Sequence, residues 1–249
     1  MDAAVQPDTA LAPLARLTVV VPVGPGDSLS PRLREQLTQL PPGAQVVVVG
    51  CEAPPVRQGQ SPVAAGMSAV DAQTGPRWQA LHSPVGRSVQ QNAGAAAGGG
   101  EWLWFLHADA ALAPETLPAL ARFVAEGRSG LGYFDLRFLG DGPALMRLNS
   151  AGVWLRSRVL RLPFGDQGLV LPRSLFTAVG GFDPATTRGE DHQLVWRVRR
   201  AGAPVVAVGA LLYTSARRYA ARGWAATTMR HVGETLRQAW RFSRPEQPR

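Results

Sequence analysis

The run Trp102-Leu103-Trp104-Phe105-Leu106 limits what this chain can fold into more than any other stretch. It is apolar at every position, follows Gly98-Gly99-Gly100 and Glu101, and gives way to His107-Ala108-Asp109 with Pro114 a little further on. A short apolar run closed by glycine and proline reads as a strand buried on both faces, as at the centre of a parallel sheet. Leu17–Val23 and Gln45–Val49 have the same β-branched character, and Trp78–His82 supplies a third strand between them and the opening run. Helical stretches alternate with these strands. The first runs over residues 31–40, with Ser30 able to cap it and Pro31 suited to its first turn. A small-residue helix covers 86–97 and can press its backbone against a sheet or a ligand. Another covers 114–126 and ends at Gly127.

Beyond residue 127 the pattern is mixed. Residues 131–139 alternate as a half-exposed strand does, and 143–162 form a long helix carrying Arg147, Arg156, Arg158 and Arg161. A short strand (168–171), a short helix (172–179), a helix (190–201), a strand (204–212) and a last helix from Trp224 follow. The fold class is α/β, with a mainly parallel central sheet flanked by helices. We read a flexible N-terminus over residues 1–16, an irregular excursion over 51–76, one domain over 17–243, and a tail over 244–249.

Composition narrows the function classes. Cys51 is the single cysteine, so neither an internal disulfide nor a cysteine-rich zinc site can form. The formal net charge is +8 and every cationic residue except histidine is arginine. Codon usage in a GC-rich genome accounts for such a bias; an anionic partner such as a nucleotide diphosphate or a lipid phosphate also fits. Nucleic acid is not indicated, because zinc-finger spacing, a basic region with heptads and an aromatic RNP pattern are all missing. No basic start with an apolar core and no membrane-spanning run is present, so a cytoplasmic location is expected. The last helix combines Trp224, Met229, Val232, Leu236, Trp240 and Phe242 with arginines. It either packs its apolar stripe on the domain or, with the arginine-rich helix over 147–161, makes peripheral contact with an anionic membrane.

Four constellations carry chemistry. In open α/β sheets, ligands bind beyond the carboxyl ends of the strands. His107 and Asp109 at such an end can hold a divalent cation (manganese or magnesium), and the cation a diphosphate; a strand-end Asp that caps a turn is the alternative. Gly189-Glu190-Asp191-His192 opens a helix, where carboxylates are stabilised by the helix N-terminus or serve as a general base for an acceptor hydroxyl. Phe164-Gly165-Asp166-Gln167-Gly168 is a turn or a close approach to a ligand. Thr214-Ser215-Ala216-Arg217-Arg218-Tyr219, after a strand, is a diphosphate site or a solvated basic loop.

In this order the motifs resemble the family 2 glycosyltransferases of the GT-A fold, and within them the arsenosugar-biosynthesis-type subgroup. The matching pieces are Thr18-Val-Val-Val-Pro22, Gly86-Arg87 with Gln91-Asn92-Ala93-Gly94, Phe105-Leu-His-Ala-Asp109, Pro163-Phe-Gly-Asp-Gln167, Gly180-Gly-Phe182, Glu190-Asp191 with Arg197-Val-Arg-Arg-Ala-Gly202, and Thr214-Ser-Ala-Arg-Arg218. The resemblance implies an inverting transfer of a sugar from a nucleotide-sugar donor to an acceptor hydroxyl that it does not identify. It also implies a nucleotide-binding half over 17–110 and an acceptor half over 111–243. Asp109 would be the metal ligand in the position of the family's DxD motif, with His107 beside it. Asp191 would be the base, supported by Glu190. Asp166 and Gln167 would line the acceptor or sugar pocket, Arg87 and Asn92 would contact the donor, and Arg217 and Arg218 the diphosphate. The chain departs from the family in two places. The acid shortly after the first strand is matched only approximately by Asp27. The second strand ends Val49-Gly50-Cys51-Glu52 in place of an Asp-rich turn, with Glu52 as the substitute for the acid that reads the base.

Overall fold

β1 (Leu17–Pro22) is buried at all six positions and lies between two parallel neighbours. It organises a computed structural model that describes residues 9–51, 75–143, 145–216, 219 and 224–243. β2 (Gln45–Gly50) pairs with it on one side and β4 (Trp102–Phe105) on the other; β3 (Arg77–His82) extends the sheet beyond β2. The remaining strands are β5 (Ala111–Leu112), β6 (Leu131–Phe138), β7 (Leu169–Pro172) and β8 (Val205–Thr214). The full order is β3-β2-β1-β4-β7-β6-β8-β5. Pairings among β1 to β4 and between β6 and β8 are parallel, while β7 runs antiparallel to both β4 and β6, and β5 to β8. The sheet is thus mostly but not entirely parallel, as the α/β reading expects.

The continuous apolar runs have a simple cause. Successive side chains of a strand point to opposite faces, and here both faces are covered. Val19, Val21, Trp102 and Trp104 pack with α1 (Pro31–Leu37) and α3 (Thr116–Ala125) in one core layer. Val20, Leu103 and Phe105 pack with α2 (Arg87–Ala97), α5 (Arg173–Ala178) and α6 (Glu190–Arg200) in the other. The small-residue helix presses on the sheet: a Cβ at Gly94 would lie 2.4 Å from Val20 Cγ1 and 3.0 Å from Val49 Cγ2. Two further helices, α4 (Met146–Val159) and α7 (Trp224–Ser243), complete the described chain.

Several local expectations are corrected. Residues 9–16, expected to be loose, form a 3-10 helix with Leu14 fully buried, fixed by Arg16, which donates to Val124 O at 3.3 Å and pairs with Glu101 at 3.1 Å. Alanine and proline content concealed this because one leucine and one arginine supply the anchoring. β5 has only two residues, too few to give a periodicity. α1 ends at Leu37 and α4 begins at Met146, so both are shorter than their patterns indicate. Residues 1–8, the excursion from Glu52 to residue 74, and the tail over 244–249 lie outside the described residues.

Gly94→Ala tests the close contact of α2 with the sheet. Alanine favours a helix over glycine by up to about 1 kcal/mol, whereas overpacking a tight core costs about 1–3 kcal/mol. Because Val20 is fully buried and cannot move aside, net destabilisation is the expected outcome, read as a lower urea midpoint with unchanged m.

Candidate active site

The strand order reverses at β1: β2 and β3 extend one way and β4 the other. A crevice therefore opens beyond the carboxyl ends of β1 and β4, where such sheets bind ligands. Leu106 N–H donates to Val20 O at 3.0 Å, so pairing persists to the last residue before His107. The Gln90 amide donates to Val23 O and to Val49 O, both at 2.7 Å, and clamps the ends of β1 and β2 together. His107, Ala108 and Asp109 then form a turn, with Ala110 N–H on His107 O at 3.1 Å and Ser30 N–H on Ala108 O at 2.9 Å. His107 and Asp109 are half-buried at this edge. Among the described residues no group of three or more His, Cys, Asp or Glu side chains is arranged to hold a metal ion. The donor set at the crevice is one imidazole and one carboxylate. That suits a cation whose remaining positions are filled by diphosphate oxygens and water, and not one caged by protein alone.

The second centre is the N-terminus of α6. Glu190 and Asp191 are 5% and 8% exposed, unusual for acids at a helix start. Both lie in the first turn of α6, where the helix N-terminus favours carboxylates, and Gly189 at the cap position supplies no side-chain cap. Glu190 Oε1 receives Arg87 Nη1 at 3.4 Å, across from the first turn of α2. Asp191 lies against Gly165: a Cβ there would be 2.2 Å from Asp191 Oδ2, so only glycine fits. The Gly165 N–H donates to the Asp191 carboxylate, and Asp191 Oδ1 is buried without a hydrogen-bond partner among the described residues. Burial pushes the Asp191 pKa up to about 7, and the charges of Glu190 and Asp166 push the same way against Arg87 and the Gly165 N–H. A carboxylate poised near neutrality is suited to taking up and releasing a proton.

The neighbouring His192 is fully buried, between the rings of Phe164 at 5.1 Å and Phe242 at 6.0 Å. Its Nδ1 lies 3.4 Å from Gln238 Oε1 of α7. Burial lowers its pKa from 6.5 to about 4, against the support of Gln238. His192 is thus a neutral packing residue behind the acid.

Arg87, Asp166, Glu190 and Asp191 are brought into one cluster, while His107 and Asp109 stand at the strand crevice. Two of the residues expected to contact donor or acceptor also hold the protein's own groups. The Asn92 amide donates to Phe182 O at 2.7 Å and accepts from Phe182 N–H at 3.0 Å, so both its ends hold the chain before α6. Gln167 is fully buried; its oxygen accepts from Arg156 Nη2, Ser157 Oγ and Phe164 N–H, and its nitrogen donates to Phe134 O. A polar residue between glycines looks the same in sequence whether it faces a ligand or the backbone. Glu52, Arg217 and Arg218 lie outside the described residues; just before the arginines, Asp141 accepts from Ser215 Oγ and from Ala216 N–H at 2.8 Å. The sequence reading missed the roles of Gly165, Arg156 and His192. Arg156 is stacked 3.7 Å from the Phe164 ring centroid, and no spacing rule signals such a contact.

Comparison with known proteins bears on the fold. Residues 69–182 match the model of Glycosyl transferase family 2, a span that includes His107, Asp109 and Phe164–Gln167 and ends before Glu190. Curated protein sequences give no match. Among solved structures, a mannosyltransferase from Pyrobaculum calidifontis in complex with GDP-Man and Mn2+ superposes with a TM-score of 0.65 at 19% identity, covering 94% of this chain and 66% of that one. TarS from S. aureus in complex with UDP superposes with a TM-score of 0.57 at 17% identity, covering 80% of this chain and 60% of that one. GalNAc-T7 with UDP, GalNAc and Mn2+ gives 0.54 at 12% identity, covering 80% and 43%. The fold is GT-A. The chain spans about two thirds or less of the length of each of these GT-A proteins.

The two shifted groups give opposite pH signatures. Asp191 has a folded pKa above its unfolded value, so its stability contribution is complete below pH about 4 and is lost as pH rises through about 7. Asp191→Asn should therefore gain thermal midpoint on the wild type as pH rises from 5 to about 8; a difference independent of pH would contradict the burial argument. His192 has a depressed pKa, so its contribution is complete above 6.5 and is lost as pH falls through about 4. His192→Phe should flatten that acid limb in a pH series of thermal melts.

Proposed function

We propose that this chain is an inverting glycosyltransferase that moves a sugar from a nucleotide-sugar donor to an acceptor hydroxyl, with Asp191 as the base. The observation that carries the reading is the Asp191 carboxylate: buried, pushed up to about 7, held by the Gly165 N–H, with Oδ1 unpartnered among the described residues. Inverting transfer is a single in-line displacement, so it needs one base for the acceptor proton and charge stabilisation for the leaving diphosphate. The acceptor oxygen attacks the anomeric carbon, the bond to the diphosphate oxygen breaks, and Asp191 takes the hydroxyl proton. Glu190 keeps Arg87 beside this carboxylate and raises its proton affinity. Asp166 lies close enough to Asp191 to add to that effect, and it faces the acceptor side in this reading.

Residues 17–110 serve the donor and 111–243 the acceptor, in a cytoplasmic protein. His107 and Asp109 are the residues that would hold a divalent cation, manganese or magnesium. Such a cation would neutralise the departing diphosphate. Arg217 and Arg218 belong to the same proposal as diphosphate contacts, and Glu52 as a base contact. The subgroup resemblance to arsenosugar-type enzymes rests on the sequence motifs alone. Solved relatives support the nucleotide-sugar part: one of them carries GDP-Man and Mn2+ and another UDP-GlcNAc. The altered end of β2, Val49-Gly50-Cys51, favours a second reading in which the protein binds a nucleotide or sugar phosphate without transferring it.

Turnover separates the two. With a panel of UDP- and GDP-sugars and manganese, the first reading expects sugar transfer or donor hydrolysis that falls at least about 10²-fold in Asp191→Asn, the usual scale for losing a general base. Calorimetric affinity for UDP or GDP should survive that substitution and weaken in Asp109→Asn when manganese is present. Binding of no nucleotide diphosphate with or without the metal would sink the first reading, and binding of no sugar phosphate either would sink the second. Gly165→Ala should also lower turnover while leaving nucleotide affinity unchanged, because the added methyl displaces the carboxylate and not the donor.

A further inference from the structure

The helix α4 is built inside out. Its residues toward the domain are Met146, Asn149, Ser150, Val153, Arg156 and Ser157; four of these six are polar, and Asn149, Arg156 and Ser157 are held by hydrogen bonds. Its solvent side carries the apolar row Leu148, Gly152, Leu155 and Val159 at helical spacing, beside a second row of Arg147, Ala151, Trp154 and Arg158. Leu148, Trp154, Leu155 and Val159 are each between 51% and 64% exposed, and Leu160 continues the surface at the C-terminal end. A helix on a water-facing surface normally shows the opposite arrangement, and a contiguous exposed apolar patch marks an interaction site.

Charge decides what covers it. From Asp141 to Asp166 the sequence holds four arginines, at 147, 156, 158 and 161, and no acid between those two ends. Arg147 and Arg161 are exposed, and Arg158 is partly neutralised by Asp135 at 2.6 Å. A second copy meeting this face about a two-fold axis would set these arginines against their own counterparts with no acid of α4 to balance them. An anionic bilayer surface complements all three features: apolar side chains enter the acyl boundary, Trp154 sits at the headgroup level, and the arginines meet lipid phosphates. No described helix is long and apolar enough to cross a membrane.

We propose that the outward face of α4 docks this protein on an anionic membrane surface. The contact does not depend on the transfer reading, since it needs neither donor nor turnover, and either can fail alone. The test is co-sedimentation of the full chain at low salt with vesicles of phosphatidylcholine containing about one third phosphatidylglycerol, against pure phosphatidylcholine. Binding to the anionic vesicles is expected, weakened about tenfold or more in Leu148→Ser/Leu155→Ser/Val159→Ser and in Arg147→Gln/Arg161→Gln. Circular dichroism should be unchanged, because the substituted side chains are exposed. Should the triple variant lose its fold, the single Leu155→Ser must still weaken binding, and the blue shift of tryptophan emission on vesicles must shrink in Trp154→Phe. Absence of binding to anionic vesicles would overturn the proposal. So would undiminished binding in all the α4 variants, which would assign the attraction to overall charge. A solution dimer that dissociates in Leu155→Ser would overturn it in favour of a second copy.

Discussion

The approach of Gly165 to the Asp191 carboxylate is the constraint on which the rest of the site depends. A methyl group at residue 165 would overlap the carboxylate, so the turn between α4 and β7 and the start of α6 can meet only at a glycine. That contact removes Asp191 from water and supplies one N–H in exchange. The desolvation outweighs the hydrogen bond, the Arg87 charge and the favourable helix N-terminus, because losing hydration affects the whole carboxylate while each compensating group acts on part of it. Glu190 adds to the imbalance. Its own charge is answered by Arg87, yet it stands beside Asp191 and makes a second negative charge harder to hold. The two acids are therefore pushed into unlike roles, one paired and one protonatable near neutrality.

The elements behind this contact hold it in place. Ser88 Oγ donates to Thr186 O at 3.1 Å and Asn92 clamps Phe182, so α2 fixes the segment that leads into α6. On the other side α7 closes over α6: Gln238 reaches His192, and Arg200 donates to the carbonyl of the buried Phe242. His192 contributes by staying neutral among aromatic rings. A charged imidazole there would have neither water nor an acid in contact with it, and the packing of α7 on α6 would weaken.

Much of this was legible in the sequence. The runs at β1, β2 and β4 are apolar without alternation because both sheet faces are covered, and that pattern identifies the central strands directly. The position of His107 and Asp109 at the end of β4 was legible for the same reason, since they follow the run directly. The partners of side chains were not. Asn92 and Gln167 have the composition of ligand contacts, yet both satisfy buried backbone groups that no local pattern reveals. The 3-10 helix over residues 9–16 depends on Leu14 and Arg16 meeting α3, more than a hundred residues away. Such pairings follow from topology, and the strand order is set by the whole chain.

The unusual surface of α4 and the order of the site have a common origin. Gln167 needs donors to its oxygen from outside its own turn, and α4 supplies them through Arg156 and Ser157. Arg156 also stacks on Phe164, which in turn flanks His192. The inward side of α4 is therefore mostly polar, with Met146 and Val153 its apolar residues, and its leucines, Trp154 and Val159 fall on the opposite side. Tyr133 reinforces the same register by donating to Ser157 O at 2.9 Å. Rotating α4 to bury its apolar rows would break four hydrogen bonds to Gln167 and Leu162 and from Tyr133. Net hydrogen bonds are worth about 1 kcal/mol each and an unsatisfied buried group costs about 1–3 kcal/mol more, so these bonds oppose burial of the exposed rows. The helix that steadies the turn beside Asp191 is thereby left with an apolar face for something other than the domain core.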